Sequence, residues 1–258
     1  MEHISVLVDK KLYFSCGYNH DQDEILNVFF YLDVSQSFNI SALPWNDLTF
    51  TGATKNLAAS ACSGENNNDL FIFGGFSALG DPYSIVVKYD INNQNWTDIT
   101  NDGNEPAGRN FISCAKFNNR SIAFSVLPLY DTASDSWKRL KTSDPTPPSR
   151  VCFSAVLTSD KRIIIFGGHD EDGNVLGDLW ILDIATNQWS TGNISNPNGL
   201  TLWAHTATLV DNYMIVAFGS NDTTYSSSAI YMLDVSKRDS YTWVTDFIPS
   251  TPNTTNFK

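Results

Sequence analysis

Four histidines, four cysteines and one strongly acidic stretch are the places where chemistry could begin in this chain. The most polar cluster is His169-Asp170-Glu171-Asp172-Gly173-Asn174, whose alternating Asp170, Asp172 and Asn174 offer the oxygen donors that calcium takes. Its glycine falls at the wrong position for an EF-hand-like loop, and no glutamate closes it. A solvated hairpin with an Asp-Gly turn fits these residues better. His20 and His169 each follow a glycine that ends an apolar run, and His3 and His205 occupy matching places at the head of short alternating runs. Cys16, Cys62, Cys114 and Cys152 form no Cys-x-x-Cys pair, which disfavours zinc, and Cys62, Cys114 and Cys152 read as small buried hydrophobes. No catalytic, cofactor-binding or metal-ligating residue is assigned, and no cofactor is expected. Six Asn-x-Ser/Thr triplets, at Asn39, Asn95, Asn119, Asn193, Asn221 and Asn253, barely exceed what chance places in a chain this rich in these residues.

Composition narrows the function classes. The 258 residues are 42% hydrophobic and 13% aromatic, enough to build a sizeable core and too apolar for a disordered chain. With 16 basic against 28 acidic residues the net charge is −12, so the basic footprint of a nucleic-acid binder is missing. No apolar run is long enough to cross a bilayer, and Met1-Glu2-His3-Ile4-Ser5-Val6 does not have the form of a signal peptide.

The elements that would position any site recur. Phe30-Tyr31-Leu32-Asp33, Lys88-Tyr89-Asp90, Leu129-Tyr130-Asp131, Ile181-Leu182-Asp183 and Met232-Leu233-Asp234 place aspartates 57, 41, 52 and 51 residues apart. Trp96, Trp137 and Trp189 stand six residues after their aspartates, and Trp243 nine after Asp234. After Asp33 come Phe38 and then Trp45, the latter a candidate for the tryptophan's place. Upstream of four aspartates an apolar run ends in glycine, at Gly17, Gly74-Gly75, Gly167-Gly168 and Gly219. Each unit reads as four short strands divided by turns, with no stretch of helical period.

Apolar run, Gly-Gly, variable loop, Tyr/Leu-Asp and tryptophan together resemble the kelch repeat, one blade of a β-propeller. Pro147-Pro148-Ser149-Arg150 and Ala107-Gly108-Arg109 match the family's approach to a first strand. The resemblance implies an all-β propeller in one region, residues 1–258. Its units are approximately 1–45, 52–100, 106–141, 147–192 and 199–246, followed by a flexible tail over 247–258. First strands would line a central channel, which polar residues such as His3 and His205 would face. The glycines would end second strands where positive φ and a close neighbour exclude a side chain. Asp33, Asp90, Asp131, Asp183 and Asp234 would cap turns, and Trp96, Trp137, Trp189 and Trp243 would fill wedges between sheets.

The third unit is short by about ten residues: Ser121-Ile122-Ala123-Phe124 reaches Asp131 without a Gly-Gly. Pro128 lies inside its apolar run, which suits an edge or a bulge. A degenerate third blade and an incomplete ring follow, in a chain that reads as partial or edited at both ends.

The resemblance further implies a non-enzymatic protein-interaction module acting through loops on one face, because loops on a rigid scaffold carry binding residues. Candidate contacts are Tyr18, His20, Phe76, Tyr83, His169, Asp170, Asp172 and Tyr225. The partner would be a protein, or alternatively a glycan stacked on aromatics such as Tyr83 and Tyr225, with neither nucleic acid nor membrane insertion. Phe30-Tyr31-Leu32-Asp33-Val34-Ser35 and Leu43-Pro44-Trp45 are similar to fungal kelch proteins labelled galactose-oxidase-like. Such proteins lean towards an extracellular or membrane-anchored location. Galactose-oxidase chemistry needs copper on two tyrosines and two histidines, and no tyrosine–histidine pattern here maps onto that set.

Overall fold

The computed structural model describes residues 3–19, 22–53, 55, 57–64, 68–73, 75, 86–99, 142, 145–191, 199–221, 227–238 and 240–250. The backbone alone is described at 120–122, 128–131 and 136–139. Strands run through all of it, and a 3-10 turn spans Thr49–Thr51.

Four sheets have four strands each, paired antiparallel in chain order. The first holds Ile4–Val8, Lys11–Ser15, Phe29–Asp33 and Trp45–Asp47. The second holds Ser60–Ser63, Asp69–Phe73, Val86–Asp90 and Asn95–Ile99. The fourth holds Ser154–Leu157, Arg162–Phe166, Leu179–Asp183 and Gln188–Thr191. The fifth holds Thr206–Val210, Tyr213–Ala217, Ile230–Asp234 and Thr242–Val244. Between the second and fourth in sequence lies a sheet with three described strands, Arg120–Ile122, Pro128–Asp131 and Ser136–Arg139. This is the architecture of kelch-type propeller blades.

Pro128 is not at a sheet edge. It begins the middle strand of the third sheet, opposite Arg139. The first position of a strand tolerates the missing N–H.

The tryptophan positions obey one register. Trp45, Trp96, Trp137, Trp189 and Trp243 lie opposite Leu32, Tyr89, Tyr130, Leu182 and Leu233, the residue before each aspartate. Trp45 therefore holds the tryptophan's place although it follows Asp33 by twelve residues. The extra length is used: Phe38–Asn39 forms a strand that pairs with Asp246–Phe247. Phe247, read from the sequence as the start of a flexible tail, is fully buried and stacks on Phe38 at 4.8 Å. The unit boundary expected at 45 likewise falls inside a strand, Trp45–Asp47.

The aspartates cap turns as their chemistry suggests. Asp33 accepts from the Ser35 N–H at 2.9 Å, Asp90 from those of Asn92 and Asn93 at 2.9 Å, Asp183 from Ala185 at 2.9 Å and Asp234 from Ser236 at 2.8 Å. Hydrogen bonding by Ser35 holds the Asp33 carboxyl below the usual carboxylate range, and bonding by Asn93 does the same for Asp90.

Sheets pack face to face through apolar side chains. Val6, Val8, Tyr13 and Phe29 of the first meet Leu70, Ile72, Val87 and Tyr89 of the second. Leu12, Phe14 and Leu32 of the first meet Ile215, Ala217 and Met232 of the fifth. Ile164, Phe166 and Ile181 of the fourth meet Met214, Val216 and Leu233 of the fifth. On the opposite edge the fourth and fifth sheets are tied by buried Arg162, which pairs with Asp160 at 2.7 Å, donates to the Arg238 carbonyl at 3.1 Å and lies over the Tyr241 ring. The innermost strands touch in the order second, first, fifth, fourth sheet. The first and last sheets are thus direct neighbours. Among the described residues no such contact reaches the third sheet.

Candidate functional site

The loop face is built from the ends of the second strands. Here two successive residues take left-handed backbone angles: Cys16 and Gly17 (φ 60° and 114°), Gly167 and Gly168 (66° and 88°), Phe218 and Gly219 (59° and 89°). The second member cannot carry a side chain. A Cβ on Gly168 would lie 2.6 Å from the Val151 carbonyl oxygen, and one on Gly219 would lie 2.8 Å from that of Trp203. Gly75 shares the geometry at φ 90°, while Gly74 lies outside the described residues.

Those absent side chains let the segment entering each first strand lie directly against the loop. Val151 and His169 exchange both backbone hydrogen bonds at 3.0 Å, and Trp203 and Ser220 do so at 2.9 Å. One residue further on, Cys152 and Ala204 both adopt positive φ, as does Ala58 in the second sheet. The Ala204 N–H donates to the Cys152 carbonyl at 2.9 Å, linking neighbouring blades. Buried Arg150 braces this level with a two-pronged ion pair to Asp178, at 2.6 and 2.8 Å, and a bond to the Gly167 carbonyl at 3.2 Å.

What results is a backbone-locked rim presenting Val151, 53% exposed, beside half-buried His169 and Trp203, whose rings meet edge to face at 5.6 Å. Phe50, 75% exposed, stands in the connection from the first sheet to the second, on the same side. Exposed acidic residues flank the rim at Asp23, Glu24, Glu171 and Asp172. Such a surface offers shape, apolar contact and negative charge.

The expected contact residues separate into three groups. His169, Asp170 and Asp172 lie together in the loop of the fourth sheet. Tyr18 lies in a separate two-stranded hairpin, Tyr18–Asn19 with Glu24–Ile25, between the second and third strands of the first sheet, its hydroxyl bonded to Asp23. His20, Phe76, Tyr83 and Tyr225 lie outside the described residues. Asp170 is engaged within its own loop: its carboxylate accepts the Asp172 N–H at 3.0 Å and both the backbone and side-chain N–H of Asn174 at 2.9 Å. Those bonds, the Asn174 side chain's first, hold its carboxyl below the ordinary range. Among the described residues no three His, Cys, Asp or Glu side chains converge as metal ligands.

His3 and His205 stand immediately before innermost strands, His205 packed beneath the rim against Gly167 and Gly219. Rather than facing an open channel, they are buried between blades. His3 Nε2 bonds Thr206 Oγ1 at 2.7 Å, joining the first sheet to the fifth, and His205 Nε2 bonds Ser154 Oγ at 2.7 Å, joining the fifth to the fourth. Burial pushes each imidazole down to about 3. Around His205 the Phe166 backbone opposes that shift, yet Nδ1 has no formed hydrogen bond. The cysteines divide as well: Cys62 is disulfide-bonded, contrary to its reading as a small buried thiol, whereas Cys16 and Cys152 are in no disulfide and Cys114 lies outside the described residues.

Sequence reasoning overlooked the rim residues Val151 and Trp203. Their signal is positional: each stands three residues before a first strand, next to the Arg150 motif in one copy.

Residues 2–127 and 124–255 match the family described as the KLHDC2/KLHL20/DRC7 Kelch-repeats domain. Kelch domain-containing protein 2 of Bos taurus is 23% identical over 246 residues, 83% of this chain and 59% of that protein. Kelch domain-containing protein 3 of Bos taurus is 23% identical over 207 residues, covering 72% and 52%. Adagio-like protein 3 of Oryza sativa subsp. japonica is 27% identical over 157 residues, covering 55% and 24%. The chain thus spans less than two thirds of the length of each of these relatives.

Proposed function

We propose that this chain, which belongs to the kelch-repeat family, is a non-enzymatic protein-interaction module that binds its partner on the loop face. The observation that carries this reading is the rim itself. Backbone ladders between Val151 and His169 and between Trp203 and Ser220 fix a surface on which Val151 stands exposed beside the half-buried rings of His169 and Trp203. A preorganised apolar patch loses little entropy on binding, and its acidic surround selects for complementary charge. A partner segment with basic residues around one or two apolar anchors matches this surface.

Affinity purification from the cells that make the protein, compared across variants, tests the reading. Val151→Asp and Trp203→Ala should each lose the partner seen with the unaltered chain, whereas Lys161→Gln, in an exposed turn on the opposite side, should retain it. Raised salt should weaken capture, since exposed charges are screened over about 8 Å at physiological ionic strength. Equal retention by all three variants would refute the face assignment. Selective binding to a glycan array without a protein partner would move the module to carbohydrate recognition.

A further inference from the structure

Asn95 opens the outermost strand of the second sheet, exposed and with no hydrogen bond to its side chain among the described residues. Strand alternation in Asn95-Trp96-Thr97 leaves Asn95 and Thr97 exposed and turns Trp96 inward. Its ring lies 4.7 Å from Tyr89 and 4.9 Å from Phe29, and its Nε1–H donates to Thr51 Oγ1 at 3.1 Å. The other fully described triplet, Asn39-Ile40-Ser41, is arranged oppositely. Asn39 Nδ2 donates to Asp246 Oδ1 at 2.8 Å, and its Oδ1 accepts from the backbone N–H and hydroxyl of Ser41 at 2.9 and 2.7 Å. Both ends of that amide are committed, Nδ2 across the seam between the first and last sheets and Oδ1 within its own turn.

An independent observation bears on the compartment. Cys62 is disulfide-bonded, and disulfides persist where the environment is oxidising, as in the secretory route and outside the cell. The same route carries the machinery that glycosylates asparagine.

We propose that Asn95 is an N-glycosylation site of this chain and that Asn39 is not. The donor is an oligosaccharide linked to a polyprenyl pyrophosphate. A bond forms from Asn95 Nδ2 to the anomeric carbon, the anomeric C–O bond to pyrophosphate breaks, and the amide proton leaves with the departing phosphate. Asn95 tolerates the addition because nothing among the described residues uses its Nδ2, whereas a glycan on Asn39 would replace one of the Nδ2 hydrogens and crowd the bond to Asp246. A bulky hydrophilic group at the head of an outermost strand also blocks edge-to-edge pairing. The 91–94 turn beside it lies away from the loop face, so the modification leaves the rim uncovered.

Peptide mapping of the chain purified from its own cells tests this. Enzymatic deglycosylation in ¹⁸O-water should convert Asn95 to labelled aspartate and leave Asn39 unlabelled. Under denaturing, non-reducing conditions Cys16 and Cys152 should alkylate and Cys62 should not. Thr97→Ala should abolish the Asn95 label with an unchanged melting temperature. An unlabelled Asn95, or Asn39 labelled to equal occupancy, would overturn the proposal, as would Cys62 alkylating without reduction.

Discussion

At the scale of single residues, the loop face depends on backbone angles that only some side chains permit. Gly168 and Gly219 combine positive φ with a neighbouring carbonyl less than 3 Å from any added Cβ. Gly168→Ala and Gly219→Ala should each destabilise by more than about 1 kcal/mol, read as a lower denaturant midpoint. Ala204 already occupies the left-handed region at φ 50°, so Ala204→Gly should be neutral or stabilising by no more than about 1 kcal/mol. The buried histidines set a pH dependence. His3 and His205 titrate near 3 when folded and near 6.5 when unfolded, so below 6.5 the unfolded chain takes up protons that the folded chain refuses. Their effect is absent above that pH, and stability falls through the window from about 6.5 to about 3. The slope is about 1.4 kcal/mol per pH unit for each histidine. Thermal melts at pH 7 and pH 5 should show the drop, and a His205→Gln variant should show a shallower one. Identical slopes would contradict the assignment.

At the scale of elements, the repeat was legible because it is fixed by register. Each tryptophan must face the residue before its aspartate, and that requirement appears in the sequence as a six-residue spacing wherever the turn is short. It fails at Trp45 because the turn between Asp33 and Trp45 was lengthened to give Phe38–Asn39 a partner far away in sequence, which no local pattern announces. The Val151 and Trp203 ladders were illegible for a similar reason, since single backbone bridges leave no periodicity. Pro128 misled in the other direction: its missing donor argues against a middle strand except at the first position, where it stands. Trp189 is 6% exposed and packs with Ile163, Ile165 and Leu182, so Trp189→Ala should cost about 3–5 kcal/mol. Trp45→Ala should cost less, because Trp45 is 39% exposed. Urea unfolding of the two variants compares them directly.

At the scale of the whole molecule, the first and last sheets are joined at three levels: the His3–Thr206 and Ser5–Thr208 bonds inside, a shared apolar layer, and the Phe38–Asn39 strand latched by Asp246–Phe247 outside. Phe247→Ala should lower stability by about 3–5 kcal/mol and speed amide exchange in Phe38–Asn39 and Ile4–Val8 ahead of Arg162–Phe166. Uniform acceleration across all sheets would mean that the seam does not open separately. The rigid frame matters because it holds the rim on which the proposed partner would seat. The most direct measurement is a hydrogen-exchange difference map of the chain with and without its co-purified partner. Slowed exchange should be confined to 150–153, 167–178, 200–205 and 218–221. Protection centred on the turns at 9–10, 158–161, 184–187 and 211–212, with the rim unchanged, would contradict the account.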